Sequence, residues 1–569
     1  MKHLLHFAFA FSVLVSTYAQ ESNKRPLTHE DYDSWKNLRN IVFSPDGNWL
    51  AYEVNPQQGD GNLVLYNVES KTERVFNRGY DAVFSKGNGF LAFKVKQPEA
   101  ILRQAKVEKK KRDEIPKDSL AILNLATQEL EIIADLIGFS VPREPSNWMV
   151  YQIEVETHKP KQEESPEAPE IEEKEDPEPQ NDSIPASGST KKKPSREKVM
   201  VVYNPLTGHK ESIEKVETFL ISPTGKLASG VVQNKQGDTL TLNSIVVFET
   251  DRLHRQIIDD SREGEIKQMN VNFDGNQLAW LHSADTTKAK TFDVWLWNQK
   301  DRQPVRAIDS STIGMPKGLS PSEHSRPYFS KNGKRLFIGT VETPMEEPKD
   351  TLLAEEKYSL DIWHWNEPMI QPLQSSRLRS ESRRSFSAVY HIGEKKLVQL
   401  ADEILPTMAF DHENKGDFAL GLSPVPYLKM MDYIGGSFND VYEVDLKNGQ
   451  RTQIVKGIRS QVRLSPGGKF ITWFDLDELH WMAYEIRTKQ FRNISSSITV
   501  SLYDEDNDLP APPMPHGIAG WFDDDTEFIA NFAQNINQIQ TQLELDLENK
   551  YSKEFSGMGS LIPAISISG

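Results

Sequence analysis

Apolar and polar positions along the chain follow a two-part rhythm. A short polar turn opens directly onto a run of apolar residues, as in Ser44-Pro45-Asp46-Gly47 followed by Trp49-Leu50-Ala51-Tyr52. The unit returns at Ser85 to Phe93, Ser222 to Ala228, Asp274 to Trp280, Ser330 to Phe337 and Ser465 to Trp473. Weaker copies stand at Ser146 to Tyr151 and Asp523 to Ile529. Asp or Asn with Gly sets a tight turn because Gly takes positive φ without steric cost, and the apolar residues that follow pair into a sheet. A second class of strand comes about 15–30 residues after each turn. It comprises Leu63 to Val68, Leu120 to Leu125, Asp293 to Trp297, Asp361 to Trp365 and Asp440 to Leu446.

Turn, strand, turn, strand at a period of about 40–60 residues predicts an all-β chain built as a β-propeller of four-stranded blades. An array of β-sandwiches is the alternative, but one turn recurring in one context throughout favours the propeller. About 45 residues per blade would give too many blades for one ring. Longer blades with loop insertions, seven or eight in number, are therefore expected, the last of them incomplete. The propeller is expected over 41–530, after a helical lead-in at 20–40. In that lead-in Thr28-His29-Glu30-Asp31 fits a capping box and Tyr32, Trp35 and Leu38 follow at helical spacing. Past Ala530 the pattern gives way to a Gln/Asn-rich run, so 531–569 reads as an atypical tail, the texture a frameshift or premature stop near residue 530 would leave.

Residues 1–19 change the picture at the other end. A short positive start, an apolar run from Leu4 to Val15 and small residues at Thr17-Tyr18-Ala19 read as a secretory signal cleaved after Ala19, with Gln20 the first mature residue. The run is too short to span a bilayer, which takes about 20 apolar residues. Export to the periplasm or medium is expected, with no membrane span. The chain has 569 residues, no cysteine and a formal charge of −17. Disulfide scaffolds, thiolate metal sites and thiol nucleophiles are excluded, and the acidic balance argues against nucleic acid as a partner.

Residues 156–198 hold a Glu/Pro-rich stretch ending in Lys191-Lys192-Lys193 with almost nothing apolar to bury, a disordered insertion within the propeller. Glu108 to Glu114 reads as a solvated helix or loop, and Arg377 to Arg384 as a solvated face rather than a recognition surface.

Candidate chemistry is sparse. No Gly-x-Ser-x-Gly occurs; Gly435-Gly436-Ser437-Phe438-Asn439 lacks the last Gly, and Gly557-Met558-Gly559-Ser560 is out of register. Asp504, Asp506 and Asp508 alternate like the start of a calcium loop, but Leu509 and Pro515 stand where its Gly and distal Glu belong. No HExxH, Walker A or dinucleotide-binding glycine pattern is present. The residues assign no catalytic, cofactor-binding or metal-binding position and no cofactor, and describe a binding platform.

Several blocks nonetheless resemble the exported bacterial peptidases of the prolyl oligopeptidase (S9) family. They are Leu27 to Lys36 with Phe43 to Gly47, Asp361 to Trp365, Ser387 to Tyr390, Tyr503 to Glu505 and Gly517 to Trp521, over roughly residues 25–525. The resemblance implies a propeller that gates access to a C-terminal α/β-hydrolase domain with a Ser-Asp-His triad cleaving short peptides. Only 48 residues follow Trp521, so the resemblance implies the propeller region without that catalytic domain, inactive by itself. Peptides or a protein partner at the propeller face are the expected ligands. A stand-alone periplasmic propeller with a binding or scaffold role is the other reading.

Overall fold

Eight strand pairs are joined by the same four-residue turn, at 44–47, 85–88, 222–225, 272–275, 330–333, 411–414, 465–468 and 522–525. In each, the fourth residue donates its N–H to the first residue's carbonyl at 2.8–3.2 Å. That fourth residue is Gly47, Asn88, Gly225, Gly275, Gly333, Asn414, Gly468 or Asp525, with φ between 53° and 77°. Glycine reaches this left-handed region freely, and Asn and Asp are the side chains that tolerate it best. The first residue is Ser in five turns, Asn272 and Asp411 in two more. In these seven its side-chain oxygen accepts the N–H five residues on, at 2.8–3.1 Å. These seven accepting residues are at most 6% exposed, so the bond satisfies a buried oxygen and the N–H that faces it.

The computed structural model describes residues 28–554 except Ser34, 112–113, 158–194, 237–239, Arg302, 347–350, Ser359, Asp361, 499–500, 506–510, 523–524, Thr526, 535–538 and 547–551. Its strands form nine antiparallel sheets, each a meander in chain order, the blade pattern of an all-β propeller. The blades run over 36–77, 79–133, 136–214, 216–263, 265–308, 319–399, 407–458, 463–493 and 518–554. Eight have four strands. Blade 6 has five because its first strand is broken: Leu319–Pro321 and Tyr328–Phe329 both pair with Arg335–Glu342. Pro321 and Pro327 flank the break, and proline removes a ladder donor. The chain divides into two compact units, 1–137 and 138–569. The first holds blades 1 and 2, and the second holds the rest, with blade 3 opening on the strand Leu136–Ser140 across the division.

Cores lie between consecutive blades inside each unit. In the first unit Leu63 and Leu65 of blade 1 pack with Leu91, Phe93 and Leu123 of blade 2. In the second, the strand Gln277–Ser283 is buried along its whole length. Leu278 and Trp280 join the core shared with blade 4, whereas Ala279 and Leu281 join the core shared with blade 6. Successive side chains point to opposite faces, so a blade buried on both faces needs a continuous apolar run in its middle strands. That requirement explains the unbroken apolar runs of the sequence.

Several boundaries differ from those expected. A helix forms at His29–Asp33, but the first strand, Lys36–Phe43, starts inside the expected lead-in. Of the expected strand Asp361 to Trp365, the described residues Ile362 to Trp365 are not a strand; that position in blade 6 belongs to Phe386–His391. A Trp-x-Trp alternation fits a strand only if a partner strand lies beside it, and none does here among the described residues. The strands Met149–Thr157 and Ser195–Asn204 extend into both ends of the 156–198 insertion, whose remainder lies outside the described residues, as does the 1–19 signal. Blade 9, expected to be incomplete, is four-stranded: Ile539–Asp546 pairs with Glu527–Gln534, and Ser552–Glu554 with Ile539–Asp546.

Consecutive turns also nest. Gly275 lies so close to the preceding turn that a Cβ would sit 2.9 Å from Ser222 Oγ. In blade 9 the Asp525 carboxylate accepts Ser465 Oγ at 2.6 Å and the Gly467 N–H at 2.8 Å. Ser465→Ala strands the Phe470 N–H and part of the Asp525 carboxylate, and is expected to cost about 1–3 kcal/mol. Gly275→Val adds a β-branched side chain at positive φ to a steric overlap and is expected to cost more than about 2 kcal/mol. Gly393→Ala, where a Cβ meets nothing within 4 Å, serves as control. Urea midpoints check this; unchanged midpoints for both turn variants would refute the nested-turn account.

Candidate functional site

The topology separates two kinds of strand end. Within a blade, the tight turns joining strands one and two, and three and four, lie at one end. Loops joining strands two and three lie at the other. In blades 6 and 7 those second-end loops are long: 343–385 and 424–438.

These two excursions make an aromatic surface. Trp363 is 69% exposed and Trp365 86%, with Tyr358 and Tyr433 similarly bare. Trp363, Trp365 and Tyr433 line a cleft of about 330 Å³ with Met369, Lys429 and Asp432. Lys429 Nζ donates to Asn366 Oδ1 at 2.5 Å and lies 5.7 Å from the Trp365 ring. Gln371 Nε2 donates to the Ile362 carbonyl at 2.8 Å, and Gln374 Nε2 to the Met369 carbonyl at 2.8 Å, so the aromatic segment is tied to the helix Gln371–Glu381. That helix buries none of its residues; Arg379 stands in solvent, as expected of a solvated face, whereas half-buried Arg377 meets Met369 Sδ at 3.3 Å. Such aromatic surface stands in water rather than in a core.

The opposite ends in the second unit carry two adjoining polar clefts. One, of about 480 Å³, lies where the first strands of blades 3, 4 and 5 end, with Phe139, Phe219, Asn270, Arg143 and Arg326 on its walls. The other, of about 410 Å³, shares Arg143 and Asn270 and adds Phe273, Tyr328, Lys331 and Glu413. Lys331 Nζ meets Glu413 Oε1 at 2.5 Å, Lys415 pairs with the other Glu413 oxygen, and Lys331 also lies 4.8 Å from the Phe273 ring. Hydrogen bonds from the two lysines hold the Glu413 carboxyl down at about 2, and the Glu413 hydrogen bond raises Lys331. Burial pushes the Tyr328 phenol up.

No nucleophile is assembled from the sequence candidates. Ser437 is exposed and follows Gly435 and Gly436, with φ of 69° and 86°, on a descent from the helix Leu428–Ile434 into the strand Asn439–Asp445. A nucleophile elbow runs the other way, strand to helix. Ser560, Asp506 and Asp508 lie outside the described residues. Among the described residues, no group of three or more His, Asp and Glu converges as a metal site, and no helix is long and apolar enough to cross a membrane.

Sequence reasoning missed the turn Asp411-His412-Glu413-Asn414, because it lacks Ser-Pro and Gly. Asn414 before Lys415-Gly416 and the apolar run from Phe418 was the available signal. It missed Arg143 and Arg326 altogether, since nothing in the sequence brings them together.

No protein-family model matches the sequence, and neither does any curated protein. Among solved structures, the chain is similar to the β-propeller domain of the Trilobed protease from Pyrococcus furiosus: 8% identity, TM-score 0.30, covering 74% of this chain and 99% of that one. It is similar to a eukaryotic initiation factor at 12% identity and TM-score 0.39, covering 84% of this chain and 92% of that one. It is similar to the acylaminoacyl peptidase of Pyrococcus horikoshii at 9% identity and TM-score 0.30, covering 77% of this chain and 57% of that one. With TM-scores below 0.5, these likenesses carry no argument about what the chain does.

Two outcomes follow from the geometry. Because the lysines depress the folded-state Glu413 value below the ordinary 4.5, the pair's contribution is complete above that pH and is lost as the pH falls towards about 2. Thermal melts of Glu413→Gln should therefore be flatter with pH over that window than wild type. The double variant Trp363→Ser/Trp365→Ser should lower the fluorescence of bound ANS while moving stability by less than about 1 kcal/mol, since both side chains stand in water.

Proposed function

We propose that this chain is the propeller region of an exported serine peptidase of the prolyl oligopeptidase type, admitting peptides to a hydrolase domain that residues 1–569 do not supply. One observation carries the reading: the S9-like sequence blocks occur in a chain whose strands form repeated four-stranded blades. Thr28 to Asp33 leads into blade 1, Ser387 to Tyr390 lies within the blade 6 strand Phe386–His391, and Gly517 to Trp521 opens blade 9. Tyr503 to Glu505 precedes that last block, and Tyr503 bridges to Pro515, just ahead of it. Peptide bonds are then cleaved by a nucleophile outside these residues, since no Gly-x-Ser-x-Gly is among them.

A stand-alone binding or scaffold propeller in the periplasm is the second reading, and the bare aromatic surface at Trp363, Trp365 and Tyr433 favours it. The nucleotide sequence beyond codon 569 separates the two. The peptidase reading expects a frame there encoding Gly-x-Ser-x-Gly and then Asp and His, and expects repair of the frame to yield turnover of Pro- or Ala-containing fluorogenic peptides. Unrelated DNA leaves the scaffold reading. Turnover by residues 1–569 alone, blocked by a fluorophosphonate, would sink both. Export is tested by sequencing the N-terminus of the secreted protein, which is expected to start at Gln20.

A further inference from the structure

The arginine cleft holds a local charge imbalance. The chain carries a formal charge of −17, yet Arg143 and Arg326 line one cleft, and among the described residues neither has a carboxylate ion-pair partner. Of the neighbouring acids, Glu323 pairs with Lys267 at 2.7 Å and Glu413 with Lys331 and Lys415, while Glu144 stands on the wall of the adjoining cleft and forms no ion pair with either arginine. Burial, together with the nearby Arg143 charge, lowers the Arg326 value from its ordinary one.

Both arginines sit on fixed backbone. Arg326 belongs to the segment that breaks the first strand of blade 6. Its Nε donates to the Met269 carbonyl at 3.1 Å, and Asn270 Nδ2 donates to the Pro327 carbonyl at 2.8 Å. Gly339 lets that segment lie against the sheet, for a Cβ there would overlap the Ser325 side chain. Beside Arg143, the Glu144 N–H donates to the Pro223 carbonyl at 2.9 Å. With Nε engaged, the terminal nitrogens of Arg326 remain for a ligand, and a guanidinium fork matches a carboxylate. Phe139 and Phe219 supply an aromatic wall to the same cleft.

We infer that the Arg143–Arg326 cleft binds the C-terminal carboxylate of a peptide, with an apolar terminal side chain against Phe139 and Phe219. The inference rests on the peptide-handling reading and names what that reading leaves open, the end of the peptide that is recognised.

The test is fluorescence polarisation of the purified chain with a fluorescein-labelled hexapeptide ending in free-acid Phe. Its C-terminal amide, and an amide carrying an internal Glu, are the comparison ligands. The free acid should bind at least about tenfold more tightly than either amide. Arg143→Gln and Arg326→Gln should each weaken it at least about tenfold, since each removes a charge-assisted bond. Arg379→Gln on the exposed helix should change nothing, and matching melting temperatures will show that the variants fold. Equal binding of acid and plain amide overturns the carboxylate site while leaving peptide handling standing. Equal binding of the Glu-containing amide, or displacement by inorganic phosphate at lower concentration than by acetyl-phenylalanine, overturns the C-terminal assignment. No binding of any peptide overturns the site and counts against peptide handling as well, whereas the downstream DNA tests the peptidase reading separately.

Discussion

One buried hydrogen bond recurs through the structure and the rest depends on it. At seven of the eight tight turns a side-chain oxygen at the first position accepts the N–H five residues on. An unpaired donor at such a depth would cost about 1–3 kcal/mol, so each turn needs an acceptor on a short side chain. Serine, asparagine and aspartate meet that need. The fourth position must adopt positive φ, and the nesting of Gly275 against Ser222 leaves no room for a side chain there. Where a side chain is present it becomes the link itself, as when Asn88 Oδ1 accepts the Asp46 N–H at 3.3 Å or Asp525 accepts from the Ser465 turn. The same motif thus closes these hairpins and, where turns nest as at Asn88, Gly275 and Asp525, joins one to the turn before.

The cores between blades impose a second constraint. A middle strand such as Gln277–Ser283 gives its side chains to two cores in alternation, so little along its length is free for binding. Chemistry is therefore driven to the strand ends. The loops between strands two and three can lengthen without disturbing a core, which is where the 343–385 excursion and its aromatics lie. The turn ends cannot lengthen in that way. The two clefts at these ends border irregularities of the meander, the longer connection following Ser140 in blade 3 and the broken first strand of blade 6, and one of them runs on over the turns at Phe273, Lys331 and Glu413.

These constraints decide what could be read from the sequence. Six of the turns, and strands such as Leu63 to Val68 and Asp293 to Trp297, were legible because the acceptor, the positive-φ residue and the apolar run are contiguous. The Asp411 turn was not, because Asp replaces Ser and Asn414 replaces Gly while the geometry stays the same. Asp361 to Trp365 was misread because alternation reports a two-sided environment only if a neighbouring strand exists, and sequence does not say whether one does. The Arg143–Arg326 cleft was illegible because its two cations lie on different blades, and only the stacking of the blades brings them together.

The binding energy of such a cleft depends on its being unable to relax. Two guanidiniums in one cleft repel, and on mobile loops they would swing apart and shed the repulsion into water. Here the Met269 and Pro327 carbonyls hold one side and the Pro223 carbonyl the other. Arg326 is therefore held in place, and an anion between the two guanidiniums lowers their mutual repulsion. A neutral ligand gains nothing from that screening, so the preference for an anion arises from the two like charges it meets. The surplus negative charge of the chain does not cancel this preference, since at physiological ionic strength it is screened beyond about 8 Å, whereas a carboxylate in the cleft sits well within that distance of both cations.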